Sequence, residues 1–181
     1  LLTELPHKHC DTMAQAVPRT HEQHLQGLLT TMQWDEEELN RQRVEKMIAE
    51  ATVGHGVLIF DDTGFAKQGK ASVGVARQYS GTLGKVGNCQ VAVTCGYRDP
   101  QASWPVAVRL YLPEAWTADP QRLKRAQVPT DVTFQTKPDI ALSLLDQARA
   151  WGVPHRCVIA DADYGDNPNF LAGLGERNER H

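Results

Sequence analysis

The chain has 181 residues, 19 Lys and Arg against 22 Asp and Glu for a formal charge of −3, and 41% hydrophobic residues. That length suits one domain or one and a fraction, and the composition is that of a folded globular protein, not of a disordered, collagen-like or coiled-coil chain. No apolar run approaches the roughly 20 residues of a membrane-spanning helix, so no membrane contact is expected.

The first ten residues, with Glu4, Pro6 and two histidines, do not read as a signal peptide. Both ends read as cut from a longer polypeptide. Charge is unevenly distributed. Residues 1–50 carry 5 basic and 9 acidic side chains, whereas residues 66–125 carry 9 basic and 3 acidic. A phosphate-contacting surface needs local positive charge, not global charge. From charge alone, a solvated sheet face with basic loops is the simpler account. The cysteines (Cys10, Cys89, Cys95, Cys157) form no C-x-x-C pair and read as small buried hydrophobes in a reducing cytoplasm.

The first fifty residues read as helical. Thr20 and Gln23 have capping-box spacing, and Leu25, Leu28, Leu29 and Met32 follow at helical intervals. A second helix starts near Asp35, where Glu36, Glu37 and Glu38 suit the positive end of the macrodipole. His7, His9, His21 and His24 lack cysteine partners and are not expected to hold zinc. His55 and His155 read as structural.

At residue 56 the texture changes. Gly56 to Phe60 is an apolar run that reads as a central strand buried on both faces, ending in Asp61-Asp62. After a glycine-rich link, Cys89, Val91, Val93, Cys95 and Tyr97 alternate with polar or small residues. Val106, Val108, Leu110 and Leu112 do the same, so both stretches read as antiparallel strands. Residues 113–137 are irregular. Pro138 then opens a helix whose one face carries Ile140, Ala141, Leu144, Leu145, Ala148 and Trp151, and Gly152 and Pro154 end it. Cys157 to Ala160 forms a second buried run, again ending in an aspartate, Asp161. The order predicts an α/β fold with a mixed sheet. The four tryptophans sit beside apolar positions and read as core.

The doubled pattern of IFDDTG and IADADYGD carries the chemistry. Adjacent parallel strands would bring both sets of carboxylates to one sheet edge, where α/β folds bind ligands. Clustered carboxylates repel unless a cation neutralises them, and hard oxygen donors favour Mg²⁺ or Mn²⁺. Two such ions can drive phosphodiester chemistry. The plainer alternative is that Asp61, Asp62, Asp161 and Asp163 terminate strands or cap turns.

The segment Phe60 to Gly69 (FDDTGFAKQG), with SVGVARQYSGTLGKVGNCQVAV, RLYLPEAW, TKPDIAL and ADADYGD after it in order, resembles DDE-type insertion-sequence transposases. The resemblance runs from about Leu25 to Arg177. It implies a ribonuclease-H-like mixed sheet with flanking helices, preceded by an N-terminal helical segment over 1–52, with the catalytic domain over 53–181. It implies metal-dependent strand cleavage and strand transfer at transposon ends, with double-stranded DNA as partner, Mg²⁺ or Mn²⁺ as cofactor, and a place at the nucleoid. A homo-oligomer is also implied. By the same resemblance Asp61 and Asp161 are the catalytic carboxylates, and Asp62 is a further metal ligand ranked second to Asp61. Asp163 departs from the pattern, whereas Tyr164 and Gly165 keep it. Lys67, Lys70, Arg77 and Lys85 are candidates to hold DNA phosphates or, equally, to cover a hairpin.

The family's third carboxylate is a later glutamate. Glu176 and Glu179 come too early and read as surface residues, so an incomplete and inactive catalytic region is expected. Two rivals differ in kind. A haloacid-dehalogenase-like phosphohydrolase needs D-x-D, but Thr63 stands two after Asp61 and Gly64 two after Asp62. A non-cutting DNA-binding remnant would use residues 66–125 without metal.

Overall fold

The computed structural model describes residues 9–51 and 55–181. His7 and the expected boundary at 52/53 lie outside the described residues. The chain divides into two compact units between Leu39 and Asn40.

The first unit holds α1 (Cys10–Ala16) and α2 (Glu22–Thr30). The N-cap of α2 is His21, not Thr20. Its Nδ1 accepts from the His24 amide at 3.2 Å, and the two rings stack at 5.4 Å. A ring nitrogen with a free lone pair serves here as a hydroxyl would. Helix α3 (Glu36–Ile48) begins after Asp35, whose carboxylate accepts from the Glu38 amide at 2.9 Å.

The second unit is built on five strands: β1 (Val57–Ala66), β2 (Ala76–Ser80), β3 (Lys85–Arg98), β4 (Ser103–Leu110) and β5 (Cys157–Ala160). Strand β1 lies between antiparallel β3 and parallel β5, while β2 and β4 pair with the two halves of β3 on its far side. Strand β1 is longer than the apolar run alone suggests. Antiparallel pairing with β3 continues to Ala66 opposite Cys89, so Asp61, Asp62 and Gly64 lie within the strand. Cooperative ladder bonds carry the polar residues along.

The expectations that the first apolar run is buried on both faces and that the second is a buried run are corrected. Leu58 and Phe60 are fully buried but Ile59 is half-buried, and Val158 is buried while Ile159 is 48% exposed. One face of the sheet is covered. Helices α6 (Lys137–Ala150) and α8 (Pro168–Glu176) supply Ile140, Ala141, Leu144, Leu145, Phe170 and Leu174 to the core with Leu58 and Phe60. Helix α6 opens with a complete capping box between Thr136 and Asp139. From α3, Val44 joins this core, and Arg43 donates to the Pro105 and Val106 carbonyls at 2.5 and 2.7 Å.

Val108, expected to share the inner side with Val106, is 64% exposed. Pairing skips Val106 between Cys95 and Gly96, so a bulge reverses the alternation and puts Ala107 opposite Cys95. The irregular stretch after β4 contains two short helices, α4 (Glu114–Thr117) and α5 (Pro120–Arg125), and α7 (Ala162–Gly165) follows β5. A second small core of Val75, Leu112 and Trp116 ties the β1–β2 loop to α4 and α5. This five-strand mixed sheet with flanking helices is compatible with a ribonuclease-H-like fold. Among the described residues no helix is long and apolar enough to cross a membrane.

Candidate functional site

Strands β1 and β5 are paired in parallel through Phe60 and Ala160, so the next residue on each is an aspartate. Asp61, Asp62, Asp161 and Asp163 all line one cleft of about 300 Å³, together with Lys137 and the Tyr79–Gly81 turn. The cleft therefore combines residues about a hundred positions apart in the sequence, from Asp61 to Asp163.

Pairing with β3 distinguishes the two adjacent aspartates. Asp62 lies opposite Val93 and shares its face with Leu58 and Phe60, toward the helices. Asp61 lies opposite Thr94 on the other face and is exposed; its carboxylate accepts from the Asp62 amide at 2.7 Å. Asp161 caps α7, accepting from the Tyr164 amide at 3.3 Å.

The carboxylate of Asp62 is held from two sides. The Tyr164 hydroxyl donates to Oδ1 at 2.5 Å, and the Lys137 ammonium donates to Oδ2. Tyr164 is buried, and that burial, followed by its bond to Asp62 and the charges of Asp62, Asp161 and Asp61, pushes its phenol far above the ordinary range. It therefore remains a proton donor to Asp62 at any working pH.

Lys137 has a role at this cleft that sequence reasoning does not assign. As the first residue of α6 it sits at the positive end of the helix, where a cation is disfavoured. That conflict with the macrodipole is the available signal, and the ion pair with Asp62 resolves it. Gly64 has a steric role. A Cβ there would clash with the Ser80 Oγ and lie 2.7 Å from the Ser80 Cβ, and the Gly64 amide donates to Thr82 Oγ1 at 3.3 Å. The hairpin turn between β2 and β3 thus folds against β1 and forms one wall of the cleft.

The donor set is wholly carboxylate on the acidic side, the chemistry that Mg²⁺ and Mn²⁺ accept. Among the described residues no three His, Cys, Asp or Glu side chains gather as a group able to hold a metal ion. Lys137 supplies the positive charge at Asp62 in this arrangement. Glu176 and Glu179 do not line the cleft. Glu179 is not a free surface group, because it pairs with His155 at 3.1 Å and Arg149 at 3.5 Å.

Lys67, Lys70, Arg77 and Lys85 do not line the carboxylate cleft. Lys67 and Lys70 lie on the loop after β1, Arg77 on β2, and Lys85 at the start of β3 opposite Ser80. Lys70, Arg77 and Lys85 are exposed.

Residues 1–180 match the sequence model of a family described as DDE superfamily endonuclease. The chain is also 32% identical over 183 aligned positions to a protein described as a probable transposase for insertion sequence element IS701, from Microchaete diplosiphon. That alignment takes in 98% of this chain and 44% of the relative, so the chain spans less than half the length of the curated relative it matches. No solved structure matches.

Proposed function

The chain belongs to the DDE superfamily endonucleases, and on that premise we propose that its carboxylate cleft is the metal-dependent centre of a transposase acting on double-stranded DNA. The chemistry proposed is strand cleavage at transposon ends and transfer of the freed end to a target. One observation carries the reading: the parallel register of β1 and β5 converges Asp61, Asp62 and Asp161 on one cleft. We assign the catalytic part to residues 53–181, with the helical segment before it.

Asp61, Asp62 and Asp161 line one cleft without gathering on a single point, and Lys137 occupies Asp62. The three would hold Mg²⁺ or Mn²⁺ once Lys137 gives up Asp62 and their side chains turn to the cation. Such an ion, when bound, supplies Lewis-acid stabilisation of phosphodiester oxygens and activates the attacking hydroxyl. The rest falls to side chains of this chain. Tyr164 orients the Asp62 carboxylate through its hydroxyl, as a hydrogen-bonding partner behind a metal ligand does. Lys137 neutralises the same carboxylate. Of the adjacent pair, Asp62 has the more constrained geometry, so we rank it with Asp161 and assign Asp61 an outer position. Lys67, Lys70, Arg77 and Lys85 are the proposed phosphate contacts.

Calorimetric titration of the chain with Mn²⁺ tests the site, with Asp61→Asn, Asp62→Asn and Asp161→Asn beside it and folding checked by circular dichroism. Binding that Asp62→Asn and Asp161→Asn both remove is the expected result. A folded parent that binds no Mn²⁺, or binding unchanged in Asp161→Asn, would overturn the assignment. A greater loss in Asp61→Asn than in Asp62→Asn would return the first place to Asp61.

A further inference from the structure

A second cleft, of about 270 Å³, lies between the β1–β2 loop and α5, and Lys70, Trp116, Arg122 and Arg125 line it together with two alanines. Among the described residues no carboxylate lines this cleft. Three cations at one small concavity repel each other and raise the local positive potential, an arrangement that an anion stabilises.

The cleft is built, not a chance meeting of mobile side chains. Trp116 is buried, and its indole N–H donates to the Val75 carbonyl at 2.8 Å. The Arg122 guanidinium stacks on that indole at 3.6 Å from the ring centroid. Its Nη2 also donates to the Lys70 carbonyl at 3.2 Å and reaches the Val75 carbonyl at 3.5 Å. The loop carrying Lys70 is pinned from the other side. Asn88 donates to the Lys67 and Gly69 carbonyls at 2.8 and 2.7 Å, and Gln90 donates to the Val73 carbonyl at 2.5 Å.

Arg122 is therefore a pre-oriented planar fork, while Lys70 and Arg125 are exposed cations with no carboxylate partner among the described residues. The acids on α4 and beside α5, Glu114 and Asp119, do not line the cleft, and Asp119 is engaged as the cap of α5, accepting from the Arg122 amide. Helix electrostatics account for a basic last turn of α5. They do not account for Lys70, which comes from a loop some fifty residues earlier in the sequence.

We propose that Lys70, Arg122 and Arg125 bind a backbone phosphate of DNA, at a contact point separate from the carboxylate cleft. A fixed guanidinium flanked by an ammonium and a second guanidinium matches the tetrahedral, multiply accepting oxygens of a phosphodiester. The site reads no sequence, because phosphate contacts fix register and orientation only. It deepens the transposase reading and rests on DNA being the partner.

The test is fluorescence anisotropy of the full chain with a short duplex of arbitrary sequence across a salt series. Chelator is kept present so that metal binding plays no part. Removing one cation that meets a phosphate lowers the slope of log affinity against log salt by about 1. Arg125→Ala and Lys70→Ala each target exposed side chains and are expected to lower the slope by that amount. Lys124→Ala, on the same helix but not lining the cleft, is expected to leave it nearly unchanged. Bound DNA with parental slopes in both cleft variants would overturn the phosphate site and leave the carboxylate centre standing. An equal fall in all three variants would overturn it too, by showing diffuse attraction. A parent chain that binds no duplex would overturn this site together with the DNA reading, while Mn²⁺ calorimetry reports on the carboxylates independently.

Discussion

The hydroxyl of Tyr164 donates to the carboxylate of Asp62 at 2.5 Å, joining residues 102 positions apart in the sequence. The bond links α7 to the middle of β1 and fixes the orientation of the half-buried acid beside Asp161. Tyr164 also packs edge-on against Phe170 at 5.5 Å, which holds its ring in place from the core side.

Tyr164→Phe keeps that ring packing and removes only the donor. The half-buried carboxylate then loses a partner, for an expected destabilisation of about 1–2 kcal/mol in urea unfolding. Because Tyr164 orients a proposed metal ligand, Mn²⁺ affinity is expected to fall about 10- to 100-fold. Parental affinity in a correctly folded variant would reduce Tyr164 to a structural role.

Lys137→Met acts in the opposite direction. The ammonium competes with any cation for Asp62 Oδ2, and the pair is partly solvated, so its loss is expected to cost at most about 1 kcal/mol of stability. Mn²⁺ should then bind more tightly than to the parent. Weaker binding would mean that Lys137 orients Asp62 and does not compete for it.

At Gly64 the hairpin turn approaches too closely for any side chain. Gly64→Ala drives a methyl into the Ser80 Oγ and places it 2.7 Å from the Ser80 Cβ. Overpacking of this kind typically costs about 1–3 kcal/mol. Adding Ser80→Gly should recover part of that loss in thermal unfolding. No recovery in the double variant would place the defect elsewhere, in the β1–β3 ladder.

Acid sensitivity should have one identifiable source on α6. The Arg177 guanidinium, bonded to both oxygens of Asp146 at 2.7 Å, holds that carboxyl below its usual range. A depressed folded value contributes stability that is present above the unfolded value of about 3.9 and is lost as pH falls through the folded one. Asp146→Asn is therefore expected to flatten the fall of Tm below about pH 4, with the effect reduced by the 52% exposure of Asp146. An unchanged acid limb would assign the sensitivity to other carboxylates.

Local chemistry made much of this molecule legible from residue order. The Cys157–Ala160 strand, the α6 face from Ile140 to Ala148 and the acidic start of α3 follow from short-range periodicity and capping, which act over a few residues. The run of motifs that places the chain among DDE endonucleases is likewise linear information. The bulge at Val106 is hidden from such patterns, because which face Val108 takes depends on the register chosen by β3.

The site divides in the same way. That Asp61, Asp62 and Asp161 follow apolar runs is written in the sequence. Which of the adjacent pair turns toward the helices is not, since one residue of register exchanges the two faces and only pairing with Val93 and Thr94 settles it. Tertiary structure alone brought Lys137 and Tyr164 to Asp62, and Lys70 to Arg122, across separations of 75, 102 and 52 residues. Such contacts come from the way two helices and a loop pack on a twisted sheet, and no local pattern encodes them.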